Sequence, residues 1–123
     1  MDQSAIEQAL QTDRLVDITT TGRKSGELHR IEIAFHYLDG KIYISGLPGR
    51  RDWYANLLED PAMTFHLKQS TQADLPATAI PITDADARRR ILARVVERWN
   101  RQDQLDRFVA GSPLIEVGLG DNG

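Results

Sequence analysis

The sequence predicts an α+β fold, a mainly antiparallel six-stranded β-barrel with peripheral helices, and three observations carry that expectation. Residues 28–38 (LHRIEIAFHYL) alternate Ile31, Ile33, Phe35 and Tyr37 with Arg30, Glu32, Ala34 and His36, the period of a strand with one buried face and one wet or functional face. Asp39-Gly40 then marks a two-residue hairpin into residues 41–46 (KIYISG), which makes the pairing antiparallel. Further extended segments lie on either side of this hairpin with helical stretches between them, and closing such a meander into a barrel removes its exposed edges.

The elements follow in order. Residues 4–10 combine helix formers with Ile6, Ala9 and Leu10 on one side, so a leading helix is expected within residues 1–13. Residues 15–21 (LVDITTT) are rich in β-branched side chains and stop at the turn-forming run Gly22-Arg23-Lys24-Ser25-Gly26. After a loop over 47–51, Asp52 is expected to cap a short helix over 53–60 that Pro61 ends. Met63, Phe65 and Leu67 alternate with Thr64, His66 and Lys68 in the next strand. Residues 73–82 read as extended because Pro76 and Pro81 forbid a helix, and they suit an edge or irregular strand better than a central one. From 84 to 100 the period becomes helical, with Ile91, Leu92, Val95, Val96 and Trp99 on one face, Thr83 as the expected N-cap and Asp86 three residues beyond it. A shorter helix over 104–110 ends near Gly111, and a strand over 114–119 closes the chain. The stretch 84–110 is thus a helical insertion before the last strand, within one domain spanning 1–123.

Composition narrows the function. A hydrophobic fraction of 41% and a charged fraction of 27% are those of an ordinary globular domain. No apolar run approaches the roughly 20 residues that span a bilayer. The N-terminal MDQSAIEQALQTD lacks the positive charge and apolar stretch of a secretory leader, so a cytoplasmic location is the expectation. The absence of cysteine removes disulfides, thiolate nucleophiles and cysteine metal sites, so redox chemistry here requires a bound cofactor. His29, His36 and His66 have no metal-ligand spacing and are expected as strand-surface or satisfied interior residues. The arginines of 88–101 alternate with acidic residues in a chain of net charge -3, which reads as a solvated helix face and not a nucleic-acid surface. Asp17, Glu32 and Asp39 show no arrangement suited to acid/base work, and Ser25 has no base at triad spacing.

What remains is a basic group, Arg23, Lys24, Arg30, Arg50 and Arg51, set among turns. The glycine-flanked Arg-Lys-Ser turn offers a fork, a point charge and a hydroxyl to an anion, although an ordinary charged hairpin tip has the same composition. Trp53 and Tyr54 open a helix where aromatics serve as core or as cofactor stackers, and Asn56 is expected to bond nearby backbone.

Three segments in order, Thr19-Thr20-Thr21-Gly22-Arg23-Lys24-Ser25-Gly26, Tyr43-Ile44-Ser45-Gly46 with its loop, and Asp52-Trp53-Tyr54-Ala55-Asn56-Leu57 followed by Asp60-Pro61, resemble the deazaflavin-dependent nitroreductase and quinone reductase family, a branch of the flavin-binding split-barrel (FMN-binding split barrel) superfamily. The resemblance covers roughly 15–68. It implies a split β-barrel, the deazaflavin coenzyme F-420 in a groove, and hydride transfer to a quinone, nitroaromatic or similar conjugated acceptor. It also implies that Arg23, Lys24, Ser25, Gly26, Arg30, Ser45, Gly46, Arg50, Arg51 and Trp53 form the cofactor site, with the cations facing an anionic phosphodiester and glutamate tail. Many relatives carry a lysine after the serine and a longer glycine-rich loop; here the run is Ser45-Gly46-Leu47-Pro48-Gly49-Arg50-Arg51, with Arg50 or Arg51 as the replacement cation. The register at the start of the long strand allows either His29 or Arg30 to contact the cofactor, and Arg30 is favoured. Relatives often place C-terminal tyrosines around the acceptor, whereas this chain has none after Tyr54. FMN is an alternative cofactor, because one phosphate on a ribityl chain satisfies the same cations, and a non-catalytic carrier of a flavin, deazaflavin or haem breakdown product is the alternative class. A barrel this small gains from burying more surface, so a homodimer is expected.

Overall fold

A computed structural model describes residues 3–120. The chain runs α1 (Gln3–Thr12), β1 (Leu15–Thr21), β2 (Leu28–Leu38), β3 (Lys41–Ser45), α2 (Asp52–Glu59), β4 (Ala62–Leu67), β5 (Ala73–Pro81), α3 (Ala85–Arg98), a 3-10 turn Gln102–Gln104, α4 (Leu105–Gly111) and β6 (Leu114–Leu119). The strands close an antiparallel barrel in the order β1-β2-β3-β6-β5-β4, the architecture expected from the sequence.

Two apolar clusters hold it. The barrel interior contains Val16, Ile18, Phe35, Ile44, Phe65, Leu67, Ala77 and Ile115, with Phe35 and Phe65 edge to face at 5.6 Å. Ile6, Ala9 and Leu10 of α1 and Trp53 and Leu57 of α2 join this cluster near the two ends of β1. The second cluster lies outside the barrel, where Ile91, Leu92, Val95 and Val96 of α3 and Phe108 of α4 cover Leu38, Tyr43 and Leu114. β3 is therefore buried on both faces, Ile42 and Ile44 inward and Tyr43 under the helices.

Neighbouring strands differ in reach, and this shapes everything near the site. β1 pairs with β2 along Leu15–Thr21, but with β4 only over Val16–Thr19. β2 pairs with β3 over Phe35–Leu38, so its first half is held by β1 alone. The distal part of the β1–β2 hairpin overhangs the barrel rim.

That overhang corrects the alternation expected for β2. Residues 28–32 are exposed on both faces, Ile31 included at 37%. His36, assigned to the wet face, is only 1% exposed, because the end of α3 covers it and the Trp99 ring packs against it edge-on, centroids 5.2 Å apart. The cap assignments also move by a residue. Asp52 is the first residue of α2, behind an Arg51 N-cap that makes no side-chain cap bond, and α3 is capped by Asp84, whose carboxylate accepts from Ala87 N at 2.9 Å, in place of Thr83. β5 is bonded on both edges and is no edge strand; its prolines sit where one neighbour is missing, Pro76 before the β6 pairing begins at Ala77 and Pro81 beyond the β4 pairing that ends at Thr78. Nor is the arginine helix merely a solvated face. Arg88 donates to the carbonyls of Ile82, Phe108, Val109 and Ser112, pinning the end of α4 to the start of α3.

Burial, followed by repulsion from Arg98 and Arg14, lowers the His36 pKa to about 4. The unfolded chain, with an ordinary histidine, takes up this proton first as pH falls. Stability from His36 is thus complete above about pH 6.5 and is lost between there and about pH 4, by about 3 kcal/mol at the lower limit. Denaturant unfolding of wild type and His36→Phe across that window checks this: the variant is expected to show a flatter profile, and identical slopes would contradict it.

Candidate functional site

Below the overhanging hairpin lies a groove of about 420 Å³, lined by Thr20, Gly22, Arg23, Lys24, Ser25, His29, Ile31, Asp52, Trp53 and Asn56. Its walls follow from strand geometry. His29 and Ile31 lie on the face of β2 that carries Phe35 into the barrel further along, so where the barrel stops its inner face becomes a groove wall. α2 supplies the opposite wall, since Asp52, Trp53 and Asn56 share one helical face at i, i+1 and i+4.

The turn is folded by its own backbone, with Gly22 N donating to Glu27 O at 2.7 Å and Gly26 N to Gly22 O at 2.9 Å, while Glu27 N donates to Ser25 Oγ at 3.1 Å. Gly26 has φ 74°, which favours glycine. Gly22 serves close packing instead, for a Cβ there would stand 2.8 Å from His29 Nε2 and 2.9 Å from Ser25 Oγ.

Asn56 holds the turn in place. It is 5% exposed, and its Oδ1 accepts from Arg23 N at 3.1 Å and from Arg23 Nη1 at 2.8 Å, while Nδ2 reaches Thr20 Oγ1 at 3.4 Å. The Arg23 fork also meets the exposed Asp52 carboxylate at 3.4 Å. Lys24 has no ion-pair partner among the described residues and lines the groove with its charge free.

A second cavity of about 710 Å³ adjoins the first, lined by Arg50, Arg51, Tyr54, Leu58 and Pro113 among others, and Arg23 and Asp52 border both. Within it Arg51 is largely consumed by its own loop, donating to Arg50 O at 2.9 Å and Leu47 O at 3.0 Å.

The sequence-derived residues thus separate. Arg23, Lys24, Ser25 and Trp53 line the groove, and Arg50 and Arg51 its neighbour. Arg30 does not line either; it lies on the opposite face of β2, 3.0 Å from Asp17, in a surface network with Lys68 and Glu32, while His29 lines the groove. Ser45 lines neither cavity; it is buried, its hydroxyl donating to Pro113 O at 2.6 Å, a staple between β3 and the residue before β6. Gly26 and Gly46 line neither cavity. Trp53 is both core and wall, at 7% exposure and edge to face with Tyr54. Asn56 bonds backbone as expected, but backbone 33 residues away; its shared helical face with Asp52 and Trp53 was the available signal.

Comparison with known proteins now bears on this arrangement. The family model of the F420H(2)-dependent quinone reductases matches residues 2–110. The chain belongs to this family. It is therefore an oxidoreductase that uses the deazaflavin coenzyme. Solved structures with the same fold include a conserved hypothetical protein from Mycobacterium tuberculosis, at 18% identity and TM-score 0.79, covering 98% of this chain and 82% of that one. A FAD-binding protein from Mesorhizobium loti aligns at 12% identity and TM-score 0.71, over 98% of this chain and 91% of its own. A protein described as an F420 reductase aligns at 14% identity and TM-score 0.64, over 94% and 93%. No curated protein matches the sequence. Among the described residues there is no metal-binding cluster and no helix long and apolar enough to cross a membrane.

The Asn56 anchor yields a direct expectation. Replacing it with leucine leaves Arg23 N unpaired and removes a charge-assisted bond, a loss of about 1–3 kcal/mol. Denaturant unfolding of Asn56→Leu should show that loss together with faster amide exchange at Arg23; an unchanged midpoint and unchanged exchange would refute the anchoring role.

Proposed function

We propose that this family member reduces a quinone, nitroaromatic or similar conjugated acceptor by hydride, with the coenzyme ring against Trp53 and Ile31 and its anionic tail on Arg23, Lys24 and Ser25. The observation that carries the reading is the donor set of the groove: a guanidinium, an ammonium, a hydroxyl and an imidazole converge beside an indole and an aliphatic face. Such a set fits a planar apolar ring with a negatively charged appendage. When bound, the reduced deazaflavin supplies the hydride.

The chain's own part is binding, orientation and exclusion of water. Arg23 is pre-positioned by Asn56, so little rotamer freedom is lost when its outer edge meets an anion. Lys24, with no ion-pair partner among the described residues, acts as a point charge. Asp52 opposes these cations, and a tail seated on Arg23 would displace the 3.4 Å contact between the two. Arg50 borders the adjoining cavity and extends the positive surface along the tail's path. The acceptor takes the adjoining cavity beside Tyr54 and Leu58, the remaining apolar wall next to the groove.

A homodimer belongs to the same reading. Residues 28–34 of β2 have no strand partner beyond β1 among the described residues, and Leu28 is 72% exposed. One structural neighbour, at 21% identity and TM-score 0.60, is described as a domain-swapped dimer.

Lys24→Ala tests the placement of the tail without disturbing the fold. Loss of one charge-assisted contact of about 1.5–3 kcal/mol should weaken coenzyme binding roughly 10- to 150-fold in a fluorescence titration. Affinity equal to wild type would remove the tail from this turn.

A further inference from the structure

Near the opposite end of β1 from the Trp53 groove lies a cavity of about 810 Å³, whose lining includes Arg14, Leu15, Phe35, His36, Arg98 and Trp99. It shares no lining residue with the groove. His36 lines it at 1% exposure, and neither ring nitrogen has a hydrogen-bond partner. A buried polar group left unpaired costs about 1–3 kcal/mol, so this imidazole calls for a partner.

The charges around it point to what that partner is. Arg14 and Arg98 both line the cavity, and no carboxylate among the described residues pairs with either side chain. Burial and then repulsion from Arg14 lower the Arg98 pKa, and both guanidiniums repel a proton on His36. The one carboxylate on the lining, Asp13, forms no ion pair with either arginine and accepts instead from two other lining residues, Ser70 N at 3.1 Å and Thr12 Oγ1 at 3.2 Å. Two like charges facing an unpaired, uncharged ring form a site short of an anion. Leu15, Ala34, Phe35 and Trp99 give the lining an apolar and aromatic part beside the polar Thr12, Gln69 and Ser70, a mixed wall that suits an organic body with polar groups better than a bare inorganic ion.

We propose that this cavity is a second ligand site, taking a small aromatic carboxylate with its carboxylate on Arg14 and Arg98, its ring beside Trp99 and Leu15, and a neighbouring hydroxyl against His36. A neutral imidazole presents one donor and one acceptor, so it can meet an anion oxygen and a hydroxyl alike. Because the site lies apart from the groove, it stands independently of the redox reading.

Salicylate is the probe, with inorganic phosphate beside it, and the readout is the His36 ring nitrogens in long-range nitrogen–proton spectra of the intact chain. Salicylate is expected to shift those signals saturably, with phosphate at least about tenfold weaker. Arg14→Gln combined with Arg98→Gln should raise the salicylate Kd by about tenfold or more while leaving coenzyme affinity within about twofold of wild type. His36 signals that do not move in wild type, a double variant that binds salicylate unchanged, or phosphate that binds as tightly as salicylate would each overturn the proposal. Should the double variant fail to fold, the wild-type titration with the two probes decides alone.

Discussion

β1 is hydrogen-bonded along both edges, but its two neighbours do not end together: the β4 pairing stops at Thr19, while the β2 pairing continues to Thr21. This two-residue overrun lifts the hairpin clear of the barrel and leaves the Thr20 hydroxyl facing α2 instead of another strand. Asn56 fills that position and bonds both Thr20 and Arg23. The groove and the fixed Arg23 follow from that mismatch, and the exposed first half of β2 from a second one, since β3 pairs with β2 only from Phe35 onward. Had β4 matched β1 residue for residue, the same face would be barrel core.

Within this frame, neighbouring cations do different work. Arg23 is held by a buried amide and presents a fixed edge; Lys24, next in sequence, has no ion-pair partner among the described residues and presents a free charge. Arg51 is spent on the carbonyls of its own loop, which it stiffens, while Arg50 is left to the cavity. Arg88 binds four carbonyls and is a structural bolt. A count of positive charges therefore says little about a binding surface until each one's local partners are known.

The period of the sequence was enough to read the strands and helices, because alternation and turn chemistry are local properties. It could not say what covers each face. His36 was placed on the wet side of β2, yet Trp99 at the end of α3, far along the chain, closes over it. Choosing Arg30 over His29 was a choice between the two faces of one strand, and a single residue of register reverses it. The side that matters is the one continuous with Phe35, visible only once the barrel is closed. Ser45 shows the same limit, since the residue that takes its hydroxyl lies 68 positions away. The turn motif and the Asp52-Trp53-Asn56 face were legible because their functional grouping lies within a few residues.

The central claim is that the groove grips the anionic appendage of the coenzyme through the turn that Asn56 holds. Affinity of the wild-type chain for the intact coenzyme, compared by fluorescence titration with that for the same deazaflavin ring lacking its phosphodiester and glutamate tail, tests it most directly. Binding of the truncated ring should be weaker by about two orders of magnitude or more, the worth of two charge-assisted contacts. Equal affinity for the two would contradict the account.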